Sequence, residues 1–358
     1  MSAGRRAVAI ATEFRSTNPA DAPAIVEFLA TVLRHDPADA RFESRQLHWK
    51  YWQAHPDWRG SRSYVLARGS EILAHAAVVP GSCAWRGGRL RTAHLIDWAA
   101  RPGAIGAGTT LLKRVGQLTD ALLAVGGSAQ TLSILPRVGF LPYGEAGGYV
   151  RTLRPVRRLT SAREPNWRLG FQFVRSVLWT ATAKSGYRGE WQVRRIAADD
   201  IEHAGLPLAA PGPQYAIFER SAAVLRYLLA CPSTPMALYE VRRADAAVRG
   251  YFVLASAPGQ SRLADCWIDS PDPADWRALV QLAVAAAREQ PSAVEVIARS
   301  SDPLLQATLA ACGFHRRRSE PVQLLAAPGH EIQAERIHVQ LLDNDAAWLH
   351  SGYAEFWA

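Results

Sequence analysis

The chain has 358 residues, 49% of them hydrophobic, so it is long enough for two domains that each bury a core. Its formal net charge of +9 favours an anionic partner, and a coenzyme, a nucleic acid, a charged polymer or an acidic membrane surface would each qualify. Residues 1–15 lack the apolar core of a signal peptide, and no apolar run reaches about 18 residues, which predicts a cytoplasmic protein. The four cysteines are spread singly, which disfavours a metal site and predicts buried thiols.

The first half begins as an antiparallel meander. Residues 63–67 and 72–79 are strand-like runs joined by a turn. Gly87-Gly88 is a two-residue hairpin signal, which predicts a long strand over residues 90–100.

A glycine-rich turn and a helix follow this long strand. Apolar residues at helical spacing form one face of the helix: Leu111, Val115, Leu118 and Leu122. The pattern predicts that Gly126-Gly127 ends the helix and that a strand around Thr131 and a short helix come next. A Gly139-Phe140 pair and a last strand near Tyr149 complete the unit.

The segment between the two halves, residues 156–190, is rich in arginine and has a broad apolar face, which predicts a basic amphipathic helix. A helix packed on both halves is the favoured interpretation. The alternative is an interfacial helix over residues 157–188 that rests on anionic lipid at the inner face of the membrane.

The sequence contains an internal repeat. The segment with Phe42-Glu43, Lys50-Tyr51, Ala54 and Pro56 recurs as Phe218-Glu219, Arg226-Tyr227, Ala230 and Pro232, offset by 176 positions (218 minus 42). Gly139-Phe140 recurs as Gly313-Phe314, offset by 174 (313 minus 139). We therefore predict two collinear domains, over residues 1–155 and 191–358.

The second copy follows the plan of the first. Its predicted strands lie near Tyr239 and over residues 248–255, 262–268 and 294–298. The helix before the last strand carries apolar residues at helical spacing: Trp276, Leu279, Val280, Ala283 and Ala287. A further helix is predicted to run to Cys312.

The glycine-rich turn of the first half is a candidate phosphate cradle. A helix start exposes unpaired backbone N–H groups at the positive end of its dipole, and glycines let a pyrophosphate approach the main chain. Gly103, Gly106 and Gly108 have the spacing G-x-x-G-x-G, the reverse of the dinucleotide fingerprint, and follow a meander. A Rossmann enzyme is therefore disfavoured, and so is a P-loop, because no Lys-Ser or Lys-Thr pair closes the turn.

Gly103 to Gly108, Leu111-Leu112 and Val138-Gly139-Phe140, in this order after a meander, resemble the GNAT superfamily of acyl-CoA N-acyltransferases. The segment 48–52 and Pro56 also resemble a Trp-Lys-Tyr stretch of one bacterial branch. The resemblance implies an α+β fold of two tandem GNAT-like domains, each a mostly antiparallel mixed sheet flanked by helices. It also implies acetyl-CoA or another acyl-CoA as co-substrate and an amine of unknown identity as acceptor.

On this resemblance the coenzyme would bind the end of the long strand, the turn and the helix start: Ile96, Trp98, Arg101, Gly103, Ala104, Ile105, Gly106, Ala107, Gly108, Thr109 and Thr110. Two departures are evident. Gly103 stands where the family usually has Gln or Arg, and Leu135 stands where a tyrosine often serves as general acid. Phosphate binding then rests on backbone groups, and the usual acid cannot be transferred.

The second copy has lost this cradle. Three carboxylates, Asp269, Asp272 and Asp275, occupy the helix start and would repel a pyrophosphate. We therefore expect this half to be structural or to select the substrate, closing one side of the acceptor cleft.

His94 and Asp97 are the catalytic candidates, because the resemblance places the amine beside the long strand. Direct transfer needs a neutral amine, a donor for the oxyanion and a proton route, but no protein nucleophile. Regular strand alternation predicts that these two side chains, three positions apart, face opposite sides of the sheet. Tyr143, Glu145 and Tyr149 are further candidates.

An N-acyltransferase is the favoured function, with an acceptor that bears negative charge elsewhere, such as a sugar nucleotide or an envelope precursor. The alternative is a non-catalytic acyl-CoA-binding or scaffold protein, because a fold does not fix a function. The absence of tyrosine at Leu135 favours this alternative. Nucleic-acid binding ranks third, since the basic residues are scattered and form no recognition motif.

Overall fold

The structure is a computed structural model, and it describes residues 12–160, 189–207, 209–212, 214–243, 248–349 and 356–357. Of the segment 156–190, the described start belongs to a short helix, Pro155–Thr160, and residues 161–188 of the predicted linker helix lie outside the described part. Among the helices that are described, none is long and apolar enough to cross a membrane. The four cysteines are buried free thiols, as expected.

The first half is a meander flanked by helices. Its strands are β1 (Glu13–Ser16), β2 (Ser63–Arg68), β3 (Glu71–Trp85), β4 (Gly88–Ala100), β5 (Ala121–Val125) and β6 (Leu141–Thr152). Its helices are α1 (Ala22–Leu33), α2 (Ser44–Leu47) with a π-helical turn (His48–Trp52), α3 (Ala107–Gly116), α4 (Ala129–Val138) and α5 (Pro155–Thr160). α1 packs on one face of β3 and β4 and α3 on the other, because the apolar residues of these strands alternate between two clusters.

The second half repeats this arrangement. Its strands are β7 (Gln192–Ile196), β8 (Tyr215–Phe218), β9 (Met236–Arg242), β10 (Val248–Ala257), β11 (Gln260–Ile268), β12 (Glu295–Ser300), β13 (His315–Ala326) and β14 (Arg336–His338). Its helices are α6 (Ala222–Leu229), α7 (Pro273–Glu289) and α8 (Pro303–Ala311). Gly139 and Gly313 each follow the end of a helix. Their φ values are positive, 107° and 79°, a left-handed conformation that glycine adopts readily and that commonly ends a helix.

One sheet runs through both halves in the order β1-β2-β3-β4-β5-β13-β6-β12-β11-β10-β9-β7, and β8 pairs with β3 and β14. β6, the last strand of the first half, and β13 of the second half are exchanged. β6 from the first half pairs with β12, and β13 from the second half pairs with β5. Because β6 and β13 also pair with each other, the backbone hydrogen bonds of each half are completed by the other.

Two elements of the first half differ from the sequence predictions. The predicted helix through Leu122 ends at Gly116, and Leu122 lies in β5, so Gly126-Gly127 follows a strand. The predicted strand around Thr131 is helix α4. The Ser128 hydroxyl accepts from the Thr131 amide and starts that helix, a capping signal that the apolar spacing hid.

A stacked aromatic pair joins the halves behind the sheet. Trp49 in the π-helical turn stacks on Tyr227 of α6 with ring centroids 5.1 Å apart, and its Nε1 donates to the Tyr227 carbonyl at 3.1 Å. The Tyr227 hydroxyl accepts from Arg62 Nη2 at 2.6 Å and donates to the Trp49 carbonyl at 2.5 Å. Trp49 also meets Trp348 edge-on at 5.7 Å. The repeated segment is therefore a contact between the two copies.

We predict that Trp49→Ala lowers the free energy of unfolding by about 3–5 kcal/mol, because it removes a buried aromatic from this contact. Urea denaturation should show one transition at lower urea, with both halves lost together. Trp58→Ala is the control, since Trp58 packs within the first half. Two separated transitions in the Trp49 variant would contradict the coupling.

Candidate active site

The turn between β4 and α3 has the geometry of a phosphate cradle. Gly103 and Gly106 have φ of 87° and 77°, values that an L side chain rarely adopts. Gly106 caps α3, and its carbonyl accepts from the Thr110 amide at 2.9 Å. By their place in the first turn, the Gly108 and Thr109 amides have no carbonyl partner within the helix. The positive end of the helix dipole thus lies at this turn.

Gly108 serves the packing of α3 on β4. Trp98 Nε1 donates to the Gly108 carbonyl at 3.1 Å, and a Cβ at this position would lie 3.1 Å from the Ala100 Cβ. The missing side chain therefore lets the helix start approach the end of β4.

The matching helix start of the second half is closed by its own carboxylates. The Asp272 side chain accepts from the Ala274 amide at 2.8 Å and so takes the place an anion would occupy. Asp275 accepts from the Ser270 hydroxyl at 2.6 Å. The absence of a coenzyme site in this half stays a prediction.

A cavity of about 460 Å³ opens where β4 and β5 diverge. The two strands pair in parallel only as far as His94 with Leu123, and the cavity lies beyond this point. Its first wall is residues 94–98 of β4 and the end of β5, and its second wall comes from β11, β12, β13 and the C-terminal segment. The second half thus forms one side of this cavity, and that the cavity receives the acceptor stays a prediction.

A β-bulge at Asp97 sets the direction of the side chains in the first wall. β3 and β4 shift register between His75–Ala99 and Ala77–Ile96, and Asp97 has φ of 49°. As a result Leu95 and Trp98 pack on the α3 side, while Ile96 and Ala99 pack on the α1 side.

The prediction that His94 and Asp97 face opposite sides of the sheet is therefore wrong. The bulge inserts one extra residue, so residues three apart on either side of it share a face. Ala93 and Leu95 pack on the α3 side, so His94 between them faces the α1 side, where Asp97 contacts Tyr51. His94 and Asp97 both line the cavity.

Asp97 is held by an internal ion pair. Its carboxylate accepts from Lys50 Nζ and from the Tyr51 hydroxyl, both at 2.7 Å. Burial alone would raise the pKa of Asp97, but the Lys50 charge and these two hydrogen bonds outweigh it and lower the pKa. His75 Nδ1 lies 2.9 Å from the Asp97 carbonyl, which can only accept, so Nδ1 carries the proton and supports the bulge.

His94 is a neutral imidazole. Burial, with the positive charge of Arg299 adding to it, lowers the pKa of His94 to about 3. Its Nδ1 has no hydrogen-bond partner in the described part of the chain.

The second wall carries charged residues that the sequence reasoning missed. Arg299 of β12 donates through Nη2 to Glu320 of β13 at 2.7 Å. Asp345 lies in a 3₁₀ turn (Asp345–Ala347), and Arg318 also lines the cavity. The sequence offered one signal for Arg299, which is a charged residue directly after the strand-like run 294–298. It offered no signal for Asp345, because the position of this residue depends on the fold of the second half.

The fold is similar to the folds of several solved structures. A protein of Enterococcus faecalis, described as a conserved protein of unknown function and probable N-acyltransferase, is 13% identical over 88% of this chain and 72% of its own, with a TM-score of 0.56. A GCN5-related N-acetyltransferase of Anabaena variabilis is 11% identical over 88% and 72%, with a TM-score of 0.55. N-myristoyltransferase of Saccharomyces cerevisiae, solved with myristoyl-CoA and inhibitors, is 14% identical over 90% and 82%, with a TM-score of 0.58.

The chain has the GNAT fold. At 11–14% identity these similarities show the fold. No protein-family model matches the sequence, and a search of curated proteins gives no match.

Within this GNAT fold, the position Leu135 and three further catalytic candidates from the sequence lie away from the cavity. Leu135 is fully buried in the core between α3, α4 and the sheet. The Tyr143 hydroxyl donates to the Ile332 carbonyl, the Tyr149 hydroxyl contacts Gln306, and Glu145 accepts from Ser319. None of these is among the described residues that line the cavity.

We predict that Lys50→Met destabilises the protein by about 3–5 kcal/mol at pH 7, because it leaves the buried Asp97 carboxylate without its cation. The folded pKa of Asp97 is lowered, so its contribution is present above the unfolded pKa and is lost as the pH falls through the folded value. In Lys50→Met the pKa of Asp97 rises, and the stability deficit should shrink towards acid pH.

The measurement is urea denaturation between pH 4 and pH 8. Lys113→Met, at an exposed position, is the control, and the double variant Lys50→Met/Asp97→Asn should recover part of the loss. A deficit below about 1 kcal/mol that does not vary with pH would refute the role of this ion pair.

Proposed function

We propose that the chain is an acyl-CoA-dependent N-acyltransferase that transfers an acetyl or other acyl group directly to an amine. The observation that carries the proposal is that one strand, β4, connects an intact helix-start cradle to the cavity between the halves. The N-myristoyltransferase structure of the same fold was solved with myristoyl-CoA, which supports an acyl-CoA as co-substrate.

The coenzyme would lie along the end of β4. Its pyrophosphate would bind the amides of the turn 103–110, and its thioester would reach the cavity beside Ile96 and Trp98. The side chain of Arg101 is partly committed to Glu71, at 3.4 Å, and to the Ile72 carbonyl, at 3.3 Å. We infer that the backbone supplies most of the phosphate contacts.

Each catalytic candidate from the sequence has a physical limit as a base. Asp97 is already paired with Lys50 and Tyr51, so its lowered pKa makes it a weak proton acceptor. The buried imidazole of His94 is neutral and can offer or accept a hydrogen bond at its free nitrogen. We propose that His94 orients a reacting group and that Asp97 fixes the bulge that shapes the cavity.

The acceptor amine would enter from the side of the second half, and we propose that it bears an anionic group. Three arginines line this side, Arg262, Arg299 and Arg318. Arg299 is buried, and its Nε and Nη1 have no hydrogen-bond partner among the described residues. A carboxylate or phosphate on the acceptor would therefore meet an excess of positive charge.

We predict that one acyl-CoA binds per chain and that Gly106→Val weakens its binding at least tenfold, about 1.4 kcal/mol. Valine cannot easily adopt φ of 77°, so the turn would lose the conformation that presents its amides. Gly60→Val is the matched control, because Gly60 has φ of 79° and equally open surroundings outside the turn. Calorimetry with acetyl-CoA and a longer acyl-CoA gives both values, and two equivalent sites or equal affinities in the two variants would place the coenzyme elsewhere.

We predict that amines with a negative charge are the better acceptors, by about tenfold or more in kcat/KM. Matched pairs isolate this charge: β-alanine with ethylamine, and O-phosphoethanolamine with ethanolamine. Free-thiol release from acetyl-CoA measures transfer. Coenzyme binding without transfer to any amine would favour the non-catalytic alternative, and equal rates within each pair would refute the anionic acceptor.

A further inference from the structure

Asp345 occupies a fixed position in the cavity wall. The Asn344 side chain caps its turn by accepting from the Ala346 amide at 2.8 Å, and Asn344 Nδ2 donates to the Val125 carbonyl of β5 at 3.3 Å. Within the second half, Arg262 Nη1 donates to the Ala346 carbonyl at 2.7 Å. Both halves therefore hold the residue at the opening between β4 and β5.

Asp345 differs from the other carboxylates of the cavity in having no ion pair with any described residue. Asp97 is paired with Lys50 at 2.7 Å, and Glu320 is paired with Arg299 at 2.7 Å. The Asp345 side chain has no hydrogen bond or ion pair among the described residues, and it is partly exposed on the cavity side. It is the carboxylate that a ligand can reach without breaking an ion pair.

Its surroundings make Asp345 a suitable base near neutral pH. Burial and the neighbouring Asp97 raise its pKa to about 6, Glu320 adds to the rise, and Lys50 and Arg299 oppose it. A base with such a pKa is mostly ionised at pH 7 and can still take up a proton.

We propose that Asp345, supplied by the half without a coenzyme cradle, is the catalytic base that deprotonates the acceptor amine. This inference rests on the proposed function. The ammonium gives one proton to the Asp345 carboxylate, and the neutral nitrogen attacks the thioester carbonyl carbon. The C–N bond forms, the C–S bond breaks with its electron pair going to sulfur, the thiolate takes up the second proton from nitrogen through solvent, and Asp345 returns its proton to solvent.

The other charged groups of the cavity are worse placed for this step. Asp97 and Glu320 would each have to leave a buried cation, and His94 is too weak a base at a pKa of about 3. The proposal also gives the second half a chemical role, as the source of the proton acceptor.

The test is Asp345→Asn, which keeps the size of the side chain but cannot accept the proton. With acetyl-CoA and the best amine of the matched pairs, kcat/KM should fall about 10²–10⁴-fold while acetyl-CoA affinity stays unchanged. We compare the ratio of wild-type to variant kcat/KM, in which the titration of the amine cancels. As the pH increases, this ratio should rise tenfold per pH unit up to about pH 6 and be constant at higher pH. Asp200→Asn, an exposed carboxylate of the same half, should behave as wild type.

A ratio within threefold of one between pH 5 and pH 8 would overturn the assignment. If Asp345→Asn does not fold, Asp345→Glu and the carboxyl carbon titration of Asp345 in the wild-type protein decide instead. Partial activity of Asp345→Glu, with a changed pH dependence of the kcat/KM ratio, and a wild-type Asp345 titration near pH 6 support the proposal. A wild-type titration below pH 4 overturns it. If the wild-type protein transfers no acyl group to any amine, the proposed function itself fails, which is a different outcome from loss of the Asp345 effect alone.

Discussion

The exchange of β6 and β13 is the constraint on which the rest of the structure depends. Both pairing partners of β6 belong to the second half and both partners of β13 belong to the first, so neither sheet is complete alone. The exchange also decides what faces the opening between β4 and β5. Because β13 pairs with β5 and β12 lies two strands further along, the charged residues of these strands form the far wall of the cavity.

Two ion pairs of low exposure, Lys50–Asp97 and Arg299–Glu320, help to fix the walls of the cavity. Lys50 and Tyr51 belong to the π-helical turn, and both bind the Asp97 carboxylate. His75 binds the Asp97 backbone carbonyl. A buried carboxylate without these partners would be costly, so the turn and the bulge must form together. The neighbouring Trp49 points into the second half, which ties the same turn to the contact between the copies.

The two copies differ at the start of the helix that follows their long strand. One helix start presents glycines with positive φ and open amides, and the other presents a carboxylate bound to its own amide. A copy with a closed helix start cannot present those amides to a pyrophosphate, yet it still contributes Arg299, Glu320 and Asp345 to the cavity. Duplication followed by loss of one glycine-rich helix start would leave this arrangement, with the open helix start in the first half and these charged residues in the second.

Local patterns in the sequence predicted the meander and the G-x-x-G-x-G turn, because these depend on residues close together in the chain. The repeat came from comparing the two halves, and the GNAT fold from the resemblance of these motifs to a known superfamily. Gly103 and Gly106 needed a backbone that only glycine adopts readily, and that need is visible without a structure. The same local rules misplaced both Leu122 and Thr131. Leu122 has a spacing that suits a helix but lies in strand β5, and Thr131 was predicted in a strand but lies in helix α4. Only the tertiary structure decided that His94 and Asp97 share a face, because a one-residue bulge resets the alternation without altering the composition. It alone brought Arg299, Glu320 and Asp345 to β4, since pairing between strands about 200 residues apart depends on the strand exchange, and no spacing within the chain encodes it.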